Sequence, residues 1–119
     1  KGVDIIYDPV GGDLAEQAFR AVAWDGRFLV IGFASGSIPR MPLNLALLKG
    51  ASLVGVFWGS WAGRDPAASK ENFTTLVEMV DQEKFSPLVT EVYPLDKFFD
   101  AFECISQRRA RGKVVLSML

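Results

Sequence analysis

The sequence predicts an α/β protein built on a parallel sheet, and three observations carry that prediction. Phe28, Leu29, Val30 and Ile31 follow one another with no polar residue between them, the pattern of a strand covered on both faces, as parallel strands are. Strand-like and helix-like segments alternate from the first residues, which is the order of βαβ units. The strand-like segments run into small or glycine-rich stretches: Pro9-Val10-Gly11-Gly12, Gly32 to Gly36, and Trp58-Gly59. Loops beyond the carboxyl ends of strands are where open α/β sheets bind ligands. Glycines at such places also serve plain turns.

Residues 3–8, VDIIYD, read as the first strand. Asp13 followed three residues later by Glu16 has the spacing of a capping box. Leu14, Ala15, Ala18, Phe19 and Val22 then form an apolar stripe at helical spacing. The pair Asp25-Gly26 reads as a turn that launches the central strand at 27–31, so the unit is a right-handed parallel crossover. After a loop carrying Pro39 and Pro42, residues 43–48 make a short apolar helix, with Gly50 just beyond its end as the stop. A third strand follows at 52–57, SLVGVF, and a loop runs from it through Gly63-Arg64-Asp65.

Asp65 as N-cap with Pro66 as first residue starts the longest helix, over 67–82, whose stripe is Phe73, Leu76, Val77 and Val80. Ser86-Pro87 interrupts the chain before a short strand at 89–93, which Pro94 closes. Asp96 is placed to cap a second amphipathic helix with Phe98, Phe102 and Ile105 on its inner face. The basic run from Arg108 to Lys113 leads into a final strand at 114–116.

A chain of 119 residues is at most one domain's worth of sequence, and half of its residues are hydrophobic. Its formal net charge of −1 provides no field to recruit nucleic acid or an anionic membrane, and neither is expected as a partner. No apolar run approaches the roughly 20 residues that span a bilayer. The single cysteine, Cys104, suits a reducing compartment, and a cytoplasmic location is the expectation. There is no histidine, so the commonest general base and metal ligand must come from elsewhere if they are used at all.

Several residues have both a chemical and a plain reading. Asp8, at a strand end, can hydrogen-bond a ribose or simply close a turn. The run from Arg108 to Lys113 can grip a phosphate, or it can be a solvated helix end favoured by the helix dipole. Trp58 and Trp61 can stack on a planar ligand or pack in an interface or core. Cys104 shares a helix with phenylalanines and reads as a packed, inert thiol. The dinucleotide fingerprint GxGxxG is missing, and Gly11-Gly12 does not supply it. No set of Asp, Glu and Cys has the spacing of a metal site.

Four stretches, VDIIYDPVGG, DGRFLVIGFASG, PLNLALLKGASLVGVFWG and SQRRARGKVVL, together resemble the medium-chain dehydrogenase/reductase superfamily. Within it the chain is most similar to the zinc-free, NADPH-dependent quinone oxidoreductase branch. The resemblance implies that residues 1–58 are the second half of a Rossmann nucleotide-binding domain. Residues 59–119 would be the α+β return segment that packs on a catalytic domain lying outside this chain. It further implies that Asp8, Pro9 and Val10 skirt the adenosine end of NADPH. Ile31, Gly32 and Phe33 would approach the nicotinamide, as would Phe57, Trp58 and Gly59, and Arg108 would reach a cofactor phosphate. Ala34 stands where some relatives have a small hydroxyl residue. No residue of the chain is assigned as catalytic or metal-binding.

The implied activity is hydride transfer from NADPH to a quinone or an activated alkene, with the isolated chain inactive and a weak binder of cofactor. A homodimer through the strand at 52–57 is also implied. The alternative is a non-catalytic dimerisation or ligand-binding α/β module.

Overall fold

A computed structural model describes residues 1–118 of the chain. The chain forms two compact units, Lys1–Pro66 and Ala67–Leu119.

The first unit carries a three-stranded sheet in the order β1-β2-β3, built from β1 (Val3–Asp8), β2 (Val22–Val30) and β3 (Ser52–Gly55). Both pairings are parallel, with Ile6 beside Phe28 and Phe28 beside Leu53 across the sheet. Helices α1 (Leu14–Arg20) and α2 (Leu43–Lys49) connect the strands, and α3 (Trp58–Arg64) follows β3. The core is Ala15, Phe19, Val22, Phe28 and Leu45, with Ile6 and Leu53 packed against it. Phe19 of α1 meets Phe28 of β2 edge to face, ring centres 5.6 Å apart at 71°. That geometry suits the ring quadrupoles. One face of the sheet is therefore closed. On the other, Leu29 is part-buried and Tyr7 exposed, so the unbroken apolar run of β2 is covered on one side only within this chain.

The central strand begins earlier than the sequence predicts. Val22 belongs to β2 and not to α1, and Asp25-Gly26 lies inside the strand as a bulge: β1 advances from Val3 to Ile5 while β2 advances from Val22 to Arg27. Asp25 takes the left-handed conformation, φ 61°, which Asp tolerates better than most residues. Gly26 has no room for a side chain, since a Cβ there would stand 2.5 Å from Val22 Cγ1. The bulge thus answers to turn chemistry without turning the chain.

The capping box of α1 does not form. Asp13 has helical angles, φ −68° and ψ −19°, and makes no side-chain cap bond, whereas an N-cap needs an extended backbone to aim its oxygen back. Glu16 instead pairs with Arg20 at 2.6 Å. Helix α2 ends as predicted, on Gly50 at φ 54°, and the Trp24 ring lies 3.0 Å from where a Cβ would stand. The Lys49 ammonium donates to the carbonyls of Arg20 (2.5 Å) and Val22 (3.1 Å), tying α2 to the junction of α1 and β2. Strand β3 is shorter than predicted and stops at Gly55, and α3 occupies residues read from the sequence as a loop. Two glycines and no polar N-cap conceal that helix from propensity arguments.

In the second unit, α4 (Pro66–Asp81) falls within a residue of its predicted span, with its first residue at the close of the first unit. Its stripe of Phe73, Leu76, Val77 and Val80 is exposed. Strands β4 (Val89–Pro94) and β5 (Lys113–Ser117) pair in parallel, and α5 (Phe98–Ser106) crosses between them after a short 3-10 turn, Leu95–Lys97. The turn holds Asp96, so Lys97 and not Asp96 is the N-cap of α5. The inner face of α5 also differs from expectation. Ala101 and Cys104 are buried, while Phe98, Phe102 and Ile105 remain exposed. Small residues let the helix lie close on two strands, and the bulky stripe is turned outward.

Candidate functional site

Because β1, β2 and β3 are parallel and in register, Asp8, Val30 and Gly55 end side by side. The loops that leave them share one edge. The Asp8 carboxylate accepts hydrogen bonds at Oδ1 from the backbone N–H groups of Val10 and Gly11, both 2.9 Å. Its side chain thus closes its own turn, the plainer of its two readings. Beyond the strand ends the loops stay joined. Ile31 and Gly32 donate to the Asp8 carbonyl, Ala34 to that of Pro9 and Ser35 to that of Val10.

Beside this double loop is a cleft of about 470 Å³ lined by Val30, Ile31, Gly32, Phe33, Gly55, Val56 and Phe57. Its walls are aliphatic and aromatic, and none of the lining residues titrates. It can bind, orient and keep water from a ligand, and it has no side chain with which to move a proton.

Four of the ten residues singled out in the sequence, Ile31, Gly32, Phe33 and Phe57, meet in this cleft. Asp8, Pro9 and Val10 stand next to it through the hydrogen bonds above. Trp58 and Gly59 open α3 directly after it. Trp58 is exposed and so is not a core residue. Arg108 belongs to the second unit, just past α5. Sequence reasoning missed Val30, Gly55 and Val56. The signal was present in SLVGVF, where a glycine interrupts an otherwise apolar strand, a mark of close approach by another group.

The cleft has room for a flat ring against its glycines. A Cβ on Gly55 would meet nothing within 4 Å, and one on Gly32 would touch only the Pro9 carbonyl at 3.4 Å. Both glycines therefore leave unfilled the space a ring would take against the backbone. A metal ion does not fit in the same way, since among the described residues no group of three His, Cys, Asp or Glu stands close enough to hold one.

Cys104 is buried, as a packed thiol should be. The hydroxyl of Tyr93 is raised above the ordinary 10.0, first by its hydrogen bond with the Cys104 side chain and then by desolvation. The neutral phenol is thus the form the fold favours, and its contribution to stability is complete below about pH 10 and is lost as pH rises through the higher folded value. Ultraviolet titration should show Tyr93 ionising above 10.0 in the native protein. In Cys104→Ala its midpoint should move back toward the ordinary value, and an unmoved midpoint would refute the assignment.

Parallel strands whose carboxyl ends open on an apolar, glycine-walled cleft define an α/β protein with a candidate ligand edge. The family model described as zinc-binding dehydrogenase matches residues 1–116, and the chain belongs to that family, within the medium-chain dehydrogenases/reductases. It is 39% identical over 117 residues to quinone oxidoreductase-like protein 2 of Mus musculus, covering 98% of this chain and 33% of that protein. The corresponding homolog in Nematostella vectensis is 38% identical, over 98% of this chain and 32% of its own length.

Among solved structures, the quinone oxidoreductase of Thermus thermophilus, determined alone and in complex with NADPH, superposes with a TM-score of 0.79. It is 26% identical, over 98% of this chain and 37% of that one. The chain thus spans about a third of the length of the relatives it matches. Its fold matches the C-terminal part of medium-chain reductases.

Proposed function

We propose that this chain is the cofactor-holding portion of an NADPH-dependent reductase that passes hydride to a quinone or an activated alkene. The observation that carries the reading is the cleft at the carboxyl ends of β2 and β3, with Ile31, Gly32, Phe33 and Phe57 on its walls. NADPH, when bound, supplies the hydride. Phe33, Val56 and Phe57 shield the reacting ring from water, and Gly32 and Gly55 let it lie against the backbone. The cleft lining has no proton donor, so the proton that completes the reduction comes from solvent or from residues outside the cleft. Asp8, Pro9 and Val10 border the adenosine end, Trp58 and Gly59 extend the nicotinamide wall, and Arg108 reaches a phosphate.

In this reading residues 1–58 are the second half of the nucleotide-binding domain and residues 59–119 the return segment, with the exposed stripe of α4 available to a covering domain. The isolated chain is then inactive and binds NADPH weakly, because it holds only part of the site. The relatives' names, the NADPH complex of the Thermus thermophilus enzyme and the shape of the cleft support this reading. Full-length protein is expected to oxidise NADPH with a quinone or an enone as acceptor. A full-length preparation that oxidises NADPH with no member of either class overturns the proposal. Cell fractionation with an antibody to the chain tests the cytoplasmic location that belongs to it.

A second, compatible reading is favoured by the position of β3, an edge strand of its sheet. An open edge offers unpaired backbone groups to a twin, so the chain would assemble as a homodimer through residues 52–57. Light scattering that gives a monomer at tens of micromolar would count against it.

A further inference from the structure

The loops that leave β1 and β2 are laced together by backbone hydrogen bonds. Ile31 and Gly32 donate to the Asp8 carbonyl, Ala34 to that of Pro9, Ser35 to that of Val10, and Gly12 to that of Ser37. In the middle of this lacing Phe33 rests on Gly11. A Cβ on Gly11 would stand 2.7 Å from Cδ1 of the Phe33 ring and 3.5 Å from the Phe33 Cα. Gly11 is buried, at φ 65°, and donates its N–H to the Asp8 carboxylate at 2.9 Å. The turn that Asp8 closes therefore fixes the surface on which the ring lies.

Phe33 is also a wall of the cleft at the ends of β2 and β3, and 40% of its surface is exposed. Carbon atoms in ordinary contact stand about 3.5–4.0 Å apart, so even a methyl group on Gly11 requires the ring to move by roughly 1 Å. A shift of that size in a group that orients a reacting ligand is enough to spoil its alignment. Gly12 supplies the contrast. It has the same φ of 65°, but a Cβ there would meet the Ser35 hydroxyl at 2.7 Å, and Ser35 lines no part of the cleft. Both glycines answer to the left-handed backbone of the turn. Only Gly11 leaves bare the seat of a cleft residue.

We infer that Gly11 is a positioning residue for the nicotinamide end of the cofactor and acts through the Phe33 ring. The turn at Asp8, assigned above to the adenosine end, then sets the shape of the cleft at the other end. For its ligand this inference rests on the reductase reading.

Full-length protein titrated with NADPH, followed by the nicotinamide fluorescence, provides the test. Gly11→Ala should weaken binding at least fivefold. Gly12→Ala should lower the melting temperature by a similar amount, since it strains the same turn, yet keep NADPH affinity within twofold of the parent. In a Phe33→Ala background, adding Gly11→Ala should change affinity less than twofold, because the ring it would displace is gone. A further readout needs neither ligand nor Gly11 variant. With glycine labelled by carbon-13, the α-protons of Gly11 should carry a ring-current displacement that Phe33→Ala abolishes. Parent-like affinity in Gly11→Ala, equal losses in the two glycine variants, the same loss with and without the Phe33 ring, or no ring-current displacement would each overturn the inference while leaving the reductase reading standing. A parent that binds no NADPH would overturn that reading, and this inference with it.

Discussion

Phe19→Ala is expected to unfold the first unit or bring it close to unfolding. Phe19 is fully buried and packs edge to face on Phe28, and only five residues make up the buried core of that unit. Truncating a buried phenylalanine to alanine costs about 3–5 kcal/mol, because the transferred surface is lost and the cavity collapses only in part. A unit of this size has a total stability of roughly 3–10 kcal/mol. Its thermal midpoint should therefore fall by at least ~15 °C or its cooperative transition should vanish. Phe99→Ala is the matched control. Phe99 is 72% exposed, so its removal should change stability by less than ~0.5 kcal/mol. If calorimetry found the two losses equal, the division between packed and outward-facing phenylalanines would be wrong.

The largest functional effect is expected from Gly55→Leu in the full-length protein. Gly55 ends β3 and lines the cleft, and a Cβ there has open space around it. The fold should accept the substitution, while the isobutyl group takes the volume proposed for the nicotinamide. A loss of at least tenfold in NADPH affinity, about 1.4 kcal/mol or more, is expected, read from the quenching of tryptophan fluorescence. Circular dichroism should not change. A folded variant that binds NADPH as tightly as its parent would remove the cleft as the cofactor site. The Phe19 and Gly55 variants thus test different things, the first the packing that supports the strand ends and the second the space those ends enclose.

What proved legible in the sequence was what depends on neighbours along the chain. The apolar run 28–31 identified a parallel strand, the stop at Gly50 ended α2, and the stripe of α4 set its span to within a residue. The glycine-rich strand ends marked one edge of a parallel sheet as the place for a ligand, while Ile31, Gly32, Phe33 and Phe57 were named through the family resemblance, and the structure lines one cleft with all four. The four motifs also placed the chain in its family.

What only the tertiary structure decided were the matters in which distant residues compete. Asp25-Gly26 has the chemistry of a turn, yet pairing with β1 holds it as a bulge within β2. Asp13 and Glu16 have the spacing of a capping box, yet the backbone at Asp13 is helical and Glu16 is taken by Arg20. The phenylalanines of α5 outrank Ala101 and Cys104 in hydrophobicity, but a helix lying across two strands needs small residues at the contact, and the large ones face outward. Gly55 and Val56 joined the site only when the register set Val30 beside Gly55. Periodicity along a chain reports which residues are apolar; which of them are covered depends on the surfaces that folding brings against them.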